Sequence, residues 1–284
     1  MDSSAEKYVR LLRILREMES AVVAFSGGVD STLLLHAAKE ALGDRVLAVT
    51  AASPTYPAAE REEAVSLAQA WGVRHRLVES HELSLPVFRE NPPDRCYHCK
   101  RELFGIFSSI AREEGYAAVC DGSNADDARS HRPGRRAAKE LGVRSPLEEA
   151  GLTKEAIRSL SRHFGLPTAD RAPFACLASR FPYGTPIDRE KLARVEACEE
   201  LLRRLGFRQY RVRVHGPVAR IEVAPDEIPR LFNPETADAV DVHFRKNGFL
   251  YVSVDLKGYR PGSMDEALPG AAPGLVDGPP EDLL

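Results

Sequence analysis

The sequence predicts an α/β fold in which a parallel sheet fills the N-terminal part and a smaller α+β domain follows. Apolar, strand-like runs alternate with helical patterns over residues 1–170, and this alternation is typical of a parallel sheet. After Pro167 the pattern changes to a helix, two alternating strands, a helical stretch and a last strand. The chain has 284 residues, enough for about two domains of ordinary size.

Strands and helices alternate through the first part. The valine-rich run SAVVAF at Ser20–Phe25 is typical of a strand buried on both faces. Leucines and alanines at helical spacing predict the helix Val29–Leu42 that follows it. The further strands are Arg45–Thr50, Val73–Val78 and Ala117–Cys120, and the further helices are the amphipathic N-terminus, Ala58–Trp71, Glu102–Glu114 and Thr153–Phe164, with Thr153 as N-cap.

The second part begins with a long loop and ends in a tail. Residues 171–186 form a loop rich in Pro and Gly that is too long for an idle connection. The small domain over 187–258 is predicted to contain the helices Asp188–Leu205, Glu227–Phe232 and Glu235–Lys246, a hairpin of Tyr210–Val214 and Val218–Val223, and the strand Phe249–Asp255. The tail 259–284 is acidic and rich in Pro and Gly, which predicts disorder.

Charge and hydropathy exclude several classes of protein. Hydrophobic residues make up 43% of the chain and charged residues 29%, which is typical of a globular protein. No run approaches the ~18 apolar residues of a membrane span, and the charged N-terminus lacks a signal-peptide core, which favours a cytoplasmic protein. The net charge is −3, to which the tail contributes −4. The remaining chain is therefore near neutral, which disfavours a dedicated nucleic-acid-binding protein.

The turn after the first strand has the composition of a phosphate-binding loop. It consists of Ser26, Gly27, Gly28, Asp30 and Ser31 around a valine. Adjacent glycines let the backbone approach an anion, the serines offer hydroxyl donors, and the amides of the new helix favour negative charge. The aspartate suits the cation that accompanies a nucleotide. The string does not match G-x-x-x-x-G-K-[ST], and it resembles the PP-loop of ATP pyrophosphatases, which split ATP into AMP and pyrophosphate.

The five cysteines point to a metal or redox site rather than to disulfides. In a reducing compartment structural disulfides are not expected, and the pair Cys96 and Cys99 forms a C-x-x-C motif that zinc and redox sites share. No second C-x-x-C follows, so a four-cysteine zinc site is unsupported. Cys176 lies in the long loop, a better setting for a reactive thiol than for a packing residue. Cys120 ends a buried strand and Cys198 lies within a helix, so both are predicted to pack in the core.

Five elements, taken together, resemble the LarE family of ATP-dependent sulfurtransferases, which make the nickel-pincer cofactor. They span about residues 20–255 and occur in the family's order. They are the PP-loop, R-C-Y-x-C-K at 95–100, D-G-S-N-A-D-D at 121–127 with R-P-G at 132–134, C-L-A-S-R-F-P-Y-G at 176–184, and Y-R-V-R-V-H-G at 210–216 with A-R-I-E at 219–222. The resemblance implies an adenine nucleotide alpha hydrolase-like, PP-loop ATP pyrophosphatase domain over 1–170.

The resemblance also implies a reaction. ATP, with Mg²⁺, would adenylate a carboxylate of pyridinium-3,5-biscarboxylic acid mononucleotide, and sulfur would displace AMP to give a thiocarboxylate. Cys176 matches the family's sulfur-handling cysteine, which in one branch gives up its own sulfur and becomes dehydroalanine. Family members assemble as hexamers, which implies a homo-oligomer here.

This chain departs from the single-cysteine branch because it also carries Cys96 and Cys99. Three thiolates hold a [4Fe–4S] cluster and leave one iron open for an extra sulfide. The departure therefore resembles the cluster-bearing branch, with Cys96, Cys99 and Cys176 as ligands. A sacrificial Cys176 and a zinc site remain the alternatives.

Several polar residues are candidates for holding the substrate. Arg211 and Arg213 alternate on one strand, so both guanidinium groups can clamp one phosphate, although a solvated strand face is the usual fate of such a pair. Asp126 follows a strand end, where ligands bind in parallel sheets, and simple helix capping is the alternative. The resemblance adds Ser179 and Arg180 beside Cys176, and the acidic residues Glu200 and Glu222, for each of which a surface carboxylate is the alternative.

Three other functions share some of these features. An amide-forming PP-loop synthetase would need an ammonia source and would give the three cysteines no role. A tRNA thiolase shares the loop and the cluster chemistry, but a basic surface is expected of it. A nucleotide-binding regulatory module would bind ATP without turning it over to AMP.

Overall fold

The structure is a computed structural model that describes residues 3–127, 133–172, 175–260 and 262–263. The chain divides into two compact units. The first comprises the residues up to Cys176 together with Pro186–Arg189, and the second comprises Leu177–Thr185 and the residues from Glu190 onward. The chain passes between the units at 176/177 and 185/186, inside the predicted loop 171–186, and again at 189/190, outside it. Arg132 of the R-P-G motif and the tail residues 264–284 lie outside the described residues.

The first unit contains a four-stranded parallel sheet in the order β3-β2-β1-β4. The strands are β1 Ala21–Ala24, β2 Val46–Ala52, β3 Arg74–Glu79 and β4 Ala118–Cys120. Its helices are α1 Ser4–Glu17, α2 Val29–Leu42, α3 Ala58–Ala70, α4 Pro86–Arg89, α5 Arg95–Glu114, α6 Pro133–Glu140, α7 Pro146–Glu149 and α8 Lys154–His163. The predicted α/β class and the parallel sheet are confirmed.

The sheet is covered on both faces, because successive side chains of a strand point to opposite sides. Ala21 and Val23 of β1 belong to one apolar cluster, which also takes in the buried faces of α1, α2 and α8. Val22 belongs to the other cluster, together with Phe104 and Phe107 of α5. Continuous apolar composition along β1 is therefore what a strand buried on both faces requires.

The sequence prediction was wrong about where α5 begins. The helix was predicted to begin at Glu102, which left the C-x-x-C motif outside it. Instead α5 begins at Arg95, so the motif occupies the first turn of a 20-residue helix. The segment between Arg95 and Glu102 has no Gly or Pro, so nothing in it interrupts a helix. The short helices α4, α6 and α7 were not predicted.

The second unit contains a three-stranded sheet in the order β5-β6-β7. The strands β5 Tyr210–His215 and β6 Val218–Val223 form the predicted antiparallel hairpin, while β7 Tyr251–Val254 pairs with β6 in parallel. The helices are α9 Arg189–Arg204 and α10 Pro234–Lys246, and 3₁₀ turns cover Leu177–Arg180 and Pro225–Phe232. Pro229 lies inside the last of these turns, which explains why the predicted helix over Glu227–Phe232 is not an α-helix.

Within the part of the chain that the structure describes, no helix is both long and apolar enough to cross a membrane.

A glycine near the end of the second unit allows a close backbone approach. Gly258 has φ +67°, and a Cβ atom there would lie 2.5 Å from the carbonyl oxygen of Val223. That oxygen also accepts a hydrogen bond from the amide of Tyr259, so it cannot move without losing this bond. Gly216 in the hairpin has φ +57°, but a Cβ atom there would meet nothing within 4 Å.

We therefore predict that Gly258→Ala lowers the free energy of unfolding by more than about 2 kcal/mol, since it combines backbone strain with a steric clash. Gly216→Ala is the matched control and should lose only about 1 kcal/mol, the strain alone. Urea unfolding of the full chain measures both values. Equal losses in the two variants would contradict the close approach.

Candidate functional site

The PP-loop connects β1 to α2 and is held in shape by its own hydroxyl groups. The Oγ atoms of Ser26 and Ser31 lie 3.1 Å apart, and the Ser31 hydroxyl donates to the Gly28 carbonyl oxygen at 3.1 Å. Gly27 has φ +72°, and a Cβ atom there would lie 3.1 Å from the Cβ atom of Ala64. The glycine is therefore required both by the backbone conformation and by the packing of α3 against the loop.

Two cationic side chains contact this loop from distant parts of the first unit. The Nζ atom of Lys154 lies 2.5 Å from an Oδ atom of Asp30. A guanidinium nitrogen of Arg171 donates to the carbonyl oxygen of Gly27 at 3.0 Å, and Arg171 also forms an ion pair with Glu63. Neither cation was predicted from the sequence, because no local pattern connects them to the loop.

The loop after β4 packs directly on the first turn of α2. A Cβ atom on Gly122 would lie 3.1 Å from the amide nitrogen of Ser31. Further along the same loop, an Oδ atom of Asp126 accepts a hydrogen bond from the backbone amide of Lys154 at 2.7 Å. The carboxylate of Asp126 therefore contacts the start of α8.

Three thiols of the first unit interact electrostatically. Cys96 is exposed and Cys99 is half-buried on the first turn of α5, three residues apart and therefore on one face of the helix. Burial is the main cause that raises the pKa of Cys99 to about 12; the charge of Lys100 opposes it, and the charges of Glu82, Cys176 and Cys96 add to it. The hydroxyl oxygen of Tyr56 lies 4.0 Å from the sulfur of Cys99. The charge of Cys99, followed by burial and the charge of Cys176, raises the pKa of Tyr56.

Beside these thiols lies a buried carboxylate that was not predicted from the sequence. Glu82 is 1% exposed and follows β3. Its oxygens accept hydrogen bonds from three hydroxyl groups, those of Ser53, Thr55 (2.7 Å) and Ser80 (2.7 Å). Because Ser53 and Thr55 precede Tyr56, this cluster fixes the turn that carries the tyrosine. The sequence did not predict this cluster, because Ser and Thr residues after a strand are too common a pattern to indicate a buried carboxylate.

No group of three His, Cys, Asp or Glu side chains among the described residues lies close enough to hold a metal ion. The donor chemistry of Cys96, Cys99 and Cys176 nevertheless fits an iron–sulfur cluster, which takes thiolates.

In the second unit, Arg180 and Glu199 form a buried ion pair. Arg180 is 1% exposed, and its Nε and Nη2 atoms each lie 2.8 Å from a carboxylate oxygen of Glu199. Glu199 also accepts a hydrogen bond from the amide of Val212 at 2.8 Å, which ties α9 to β5. Burial tends to raise the pKa of Glu199, but the charge and hydrogen bonds of Arg180 outweigh it and lower that pKa.

A second buried pair joins the two strands of the hairpin. Arg213 donates to Glu222 at 3.0 Å, to the Ser179 carbonyl oxygen at 2.9 Å and to Ser263 at 3.2 Å. Glu222 is fully buried and also pairs with Arg220 at 2.9 Å.

Arg211 is buried beside this group and donates to the carbonyl oxygen of Tyr210. Burial, with the charge of Arg180, lowers the pKa of Arg211 to about 10. The structure thus brings together four predicted residues of the second unit, namely Ser179, Arg180, Arg213 and Glu222, and buries Arg211 beside them.

Glu200 lies apart from this network. It pairs with Arg203 at 2.7 Å on the exposed side of α9, whereas Glu199, one residue earlier, is the buried carboxylate. Each helical residue is rotated by about 100° from the last, so neighbours cannot share a face. The buried residues Leu192, Val195 and Leu202 are spaced so that position 199 falls on their stripe, and this periodicity was the signal for Glu199 in the sequence.

Comparisons with known proteins cover nearly the whole chain. The family model described as NAD synthase matches residues 5–91. An uncharacterized protein of Synechocystis sp. is 43% identical over 262 residues, 92% of this chain and 98% of the relative. The pyridinium-3,5-bisthiocarboxylic acid mononucleotide synthase of Lactiplantibacillus plantarum is 38% identical over 271 residues, 94% of this chain and 97% of the relative. An uncharacterized protein of Methanocaldococcus jannaschii is 27% identical over 258 residues, 90% of this chain and 98% of the relative.

The adjacent carboxylates of α9 give a matched test of the buried network. Glu199→Gln should lower the free energy of unfolding by about 3–5 kcal/mol at pH 7, since it leaves the buried charge of Arg180 without its counterion. Glu200→Gln should change it by less than about 1 kcal/mol, as expected for an exposed pair.

The pH dependence follows from the lowered pKa of Glu199. The stability from this carboxylate is present above its unfolded pKa of about 4.3 and is lost as the pH falls through the folded value. The difference between wild type and Glu199→Gln should therefore shrink below about pH 4. Urea unfolding at a series of pH values measures it, and a loss that is independent of pH would show that the Arg180 pair is not its source.

Proposed function

This chain belongs to the LarE family of ATP-dependent sulfurtransferases, and we propose that it converts a carboxylate of pyridinium-3,5-biscarboxylic acid mononucleotide into a thiocarboxylate. The related Lactiplantibacillus plantarum protein is named for the bisthiocarboxylic acid mononucleotide. The observation that carries the proposal is the electrostatic grouping of Cys96, Cys99 and Cys176 in the same unit as the PP-loop. An enzyme that only activates an oxygen with ATP has no need of such thiols.

The PP-loop would bind ATP with Mg²⁺. The amides at the start of α2, with the hydroxyl groups of Ser26 and Ser31, suit the phosphates, and the carboxylate of Asp30 suits the cation. The substrate carboxylate would attack the α-phosphorus, forming an acyl adenylate and releasing pyrophosphate. Sulfur would then displace AMP, and the activated oxygen would leave with it.

For the sulfur, we favour a sulfide held by a [4Fe–4S] cluster on Cys96, Cys99 and Cys176. When bound, such a cluster supplies an open iron on which an additional sulfide can reside. In the chain itself, the hydroxyl group of Tyr56 contacts the sulfur of Cys99, and the hydrogen bonds of Glu82 to Ser53 and Thr55 fix the turn that carries this tyrosine. A sacrificial Cys176, or zinc on the same thiols, is the alternative source or occupant.

We assign the phosphate of the mononucleotide to the arginines of the second unit. Arg213 and Arg211 offer bidentate donors, which suit a phosphate better than a lysine does. Ser179 and Arg180 lie three and four residues after Cys176 in the sequence. Glu222 holds Arg213 in place, and the exposed position of Glu200 favours Glu199 for the acidic role.

Two other functions and two properties stay open to test. A tRNA thiolase shares this chemistry, and the near-neutral charge of the chain outside the acidic tail disfavours it. An amide-forming synthetase leaves the three cysteines without a role. The hexameric assembly and the cytoplasmic location remain predictions.

The first test of this proposal is substrate-dependent turnover. We expect AMP and pyrophosphate to form from ATP only when the pyridinium mononucleotide is present. A product heavier by about 16 Da, the difference between sulfur and oxygen, should accompany them by mass spectrometry. Cys176→Ala should abolish the mass gain, whereas Cys198→Ala, a control in α9, should retain it. Thiolated tRNA, or an amide product made with ammonia, would instead support the corresponding alternative.

The sulfur source is tested by iron analysis of protein purified without oxygen. We expect about four irons per chain with matching acid-labile sulfide, both lost in Cys96→Ala and Cys99→Ala and retained in Cys120→Ala. Colourless, iron-free protein after reconstitution would contradict the cluster. Loss of one H₂S from Cys176 after a single turnover would instead identify it as sacrificial.

A further inference from the structure

An ion pair between Lys154 and Asp30 joins the start of α8 to the PP-loop. Lys154 and Asp30 are 124 residues apart in the sequence, and the Nζ atom of Lys154 lies 2.5 Å from an Oδ atom of Asp30. Asp30 belongs to the first turn of α2, next to Ser31 and among the amides that suit a phosphate. The ammonium group is thus already beside the place where the anion of a nucleotide would bind.

The backbone of Lys154 is fixed by hydrogen bonds, whereas its side chain is partly exposed and can move. The backbone amide donates to Asp126 at 2.7 Å, and Thr153 caps the same helix by accepting from the amide of Ala156. The Lys154 side chain is 35% exposed, and its four-carbon stem is flexible. The ammonium can therefore exchange one anionic partner for another without moving α8.

Electrostatics gives the direction of that exchange. Without nucleotide, the ammonium of Lys154 pairs with the carboxylate of Asp30. ATP brings several negative charges to the same turn, which attract the ammonium more strongly than one carboxylate does. Once the ammonium has moved, the carboxylate of Asp30 is available to the Mg²⁺ that accompanies ATP.

We propose that Lys154 is a phosphate-binding residue of the nucleotide site, paired with Asp30 before ATP arrives and transferred to the β- and γ-phosphates when it binds. The inference rests on ATP binding at the PP-loop, which the proposed function also requires, but not on sulfur transfer. Arg171 has a different role. It donates to the carbonyl oxygen of Gly27 and pairs with Glu63, so it holds the loop backbone in shape.

The test compares nucleotides that differ only in their phosphates. ATP, pyrophosphate and AMP are each titrated by calorimetry into the full-length chain and its variants. Lys154→Met should weaken binding of ATP and pyrophosphate by roughly 10- to 100-fold, the range of one charge-assisted hydrogen bond, and binding of AMP by less than about twofold. Lys39→Met is the matched control, because Lys39 pairs with Asp44 at 2.8 Å at the other end of α2, and it should leave all three affinities unchanged.

Two further variants separate the exchange from a structural role. Lys154→Arg keeps the charge and should recover most of the affinity for pyrophosphate. Asp30→Asn removes the competing anion, so it should tighten binding of Mg²⁺-free ATP while abolishing the gain that Mg²⁺ gives the wild type.

Unchanged binding of pyrophosphate to Lys154→Met would overturn the inference, and so would an equal loss for AMP and ATP. If the wild type binds ATP and responds to these variants as expected but forms no thiocarboxylate, the proposed function fails while the role of Lys154 stands.

Discussion

The shared direction of four strands is the constraint on which the first unit depends. Because β1 to β4 are parallel, the loops that follow them all emerge at one edge of the sheet. The PP-loop follows β1, the Ser53–Tyr56 turn follows β2, Glu82 follows β3 and Gly122 follows β4. Segments far apart in the chain are thereby gathered at one edge of the sheet.

The second unit is distinguished by charged side chains that are buried in its interior. Arg180, Arg213, Glu199 and Glu222 are almost completely removed from water, and charges in that setting are stable only when each has its partner and hydrogen bonds. Here each guanidinium meets a carboxylate of a neighbouring element. The cost of desolvation is offset by fixed geometry, and fixed guanidinium groups are what recognition of a planar or tetrahedral anion requires.

Sequence patterns predicted those features whose cause is local. Periodicity predicted every strand of both sheets and the exact bounds of α2, because buried faces repeat at the spacing of their element. The C-x-x-C motif was interpreted as a metal or redox site and not as part of a helix, so the start of α5 was predicted at Glu102 instead of Arg95. The burial of Glu199 could have been predicted from the apolar stripe of α9, whereas Glu200 was proposed as a site residue only because of the family resemblance. Lys154, Arg171 and Glu82 could not be predicted, since their partners are brought to them only by the tertiary fold.

The contact between Gly122 and Ser31 has a consequence for transplanting this site. A Cβ atom at position 122 would press on the backbone of α2, so the loop after β4 and the PP-loop interlock. The loop after β4 therefore cannot take a larger residue at position 122 unless the backbone at the start of α2 shifts. A PP-loop grafted onto another parallel sheet would therefore need a glycine in the loop after the neighbouring strand, at the position that faces the first turn of the helix.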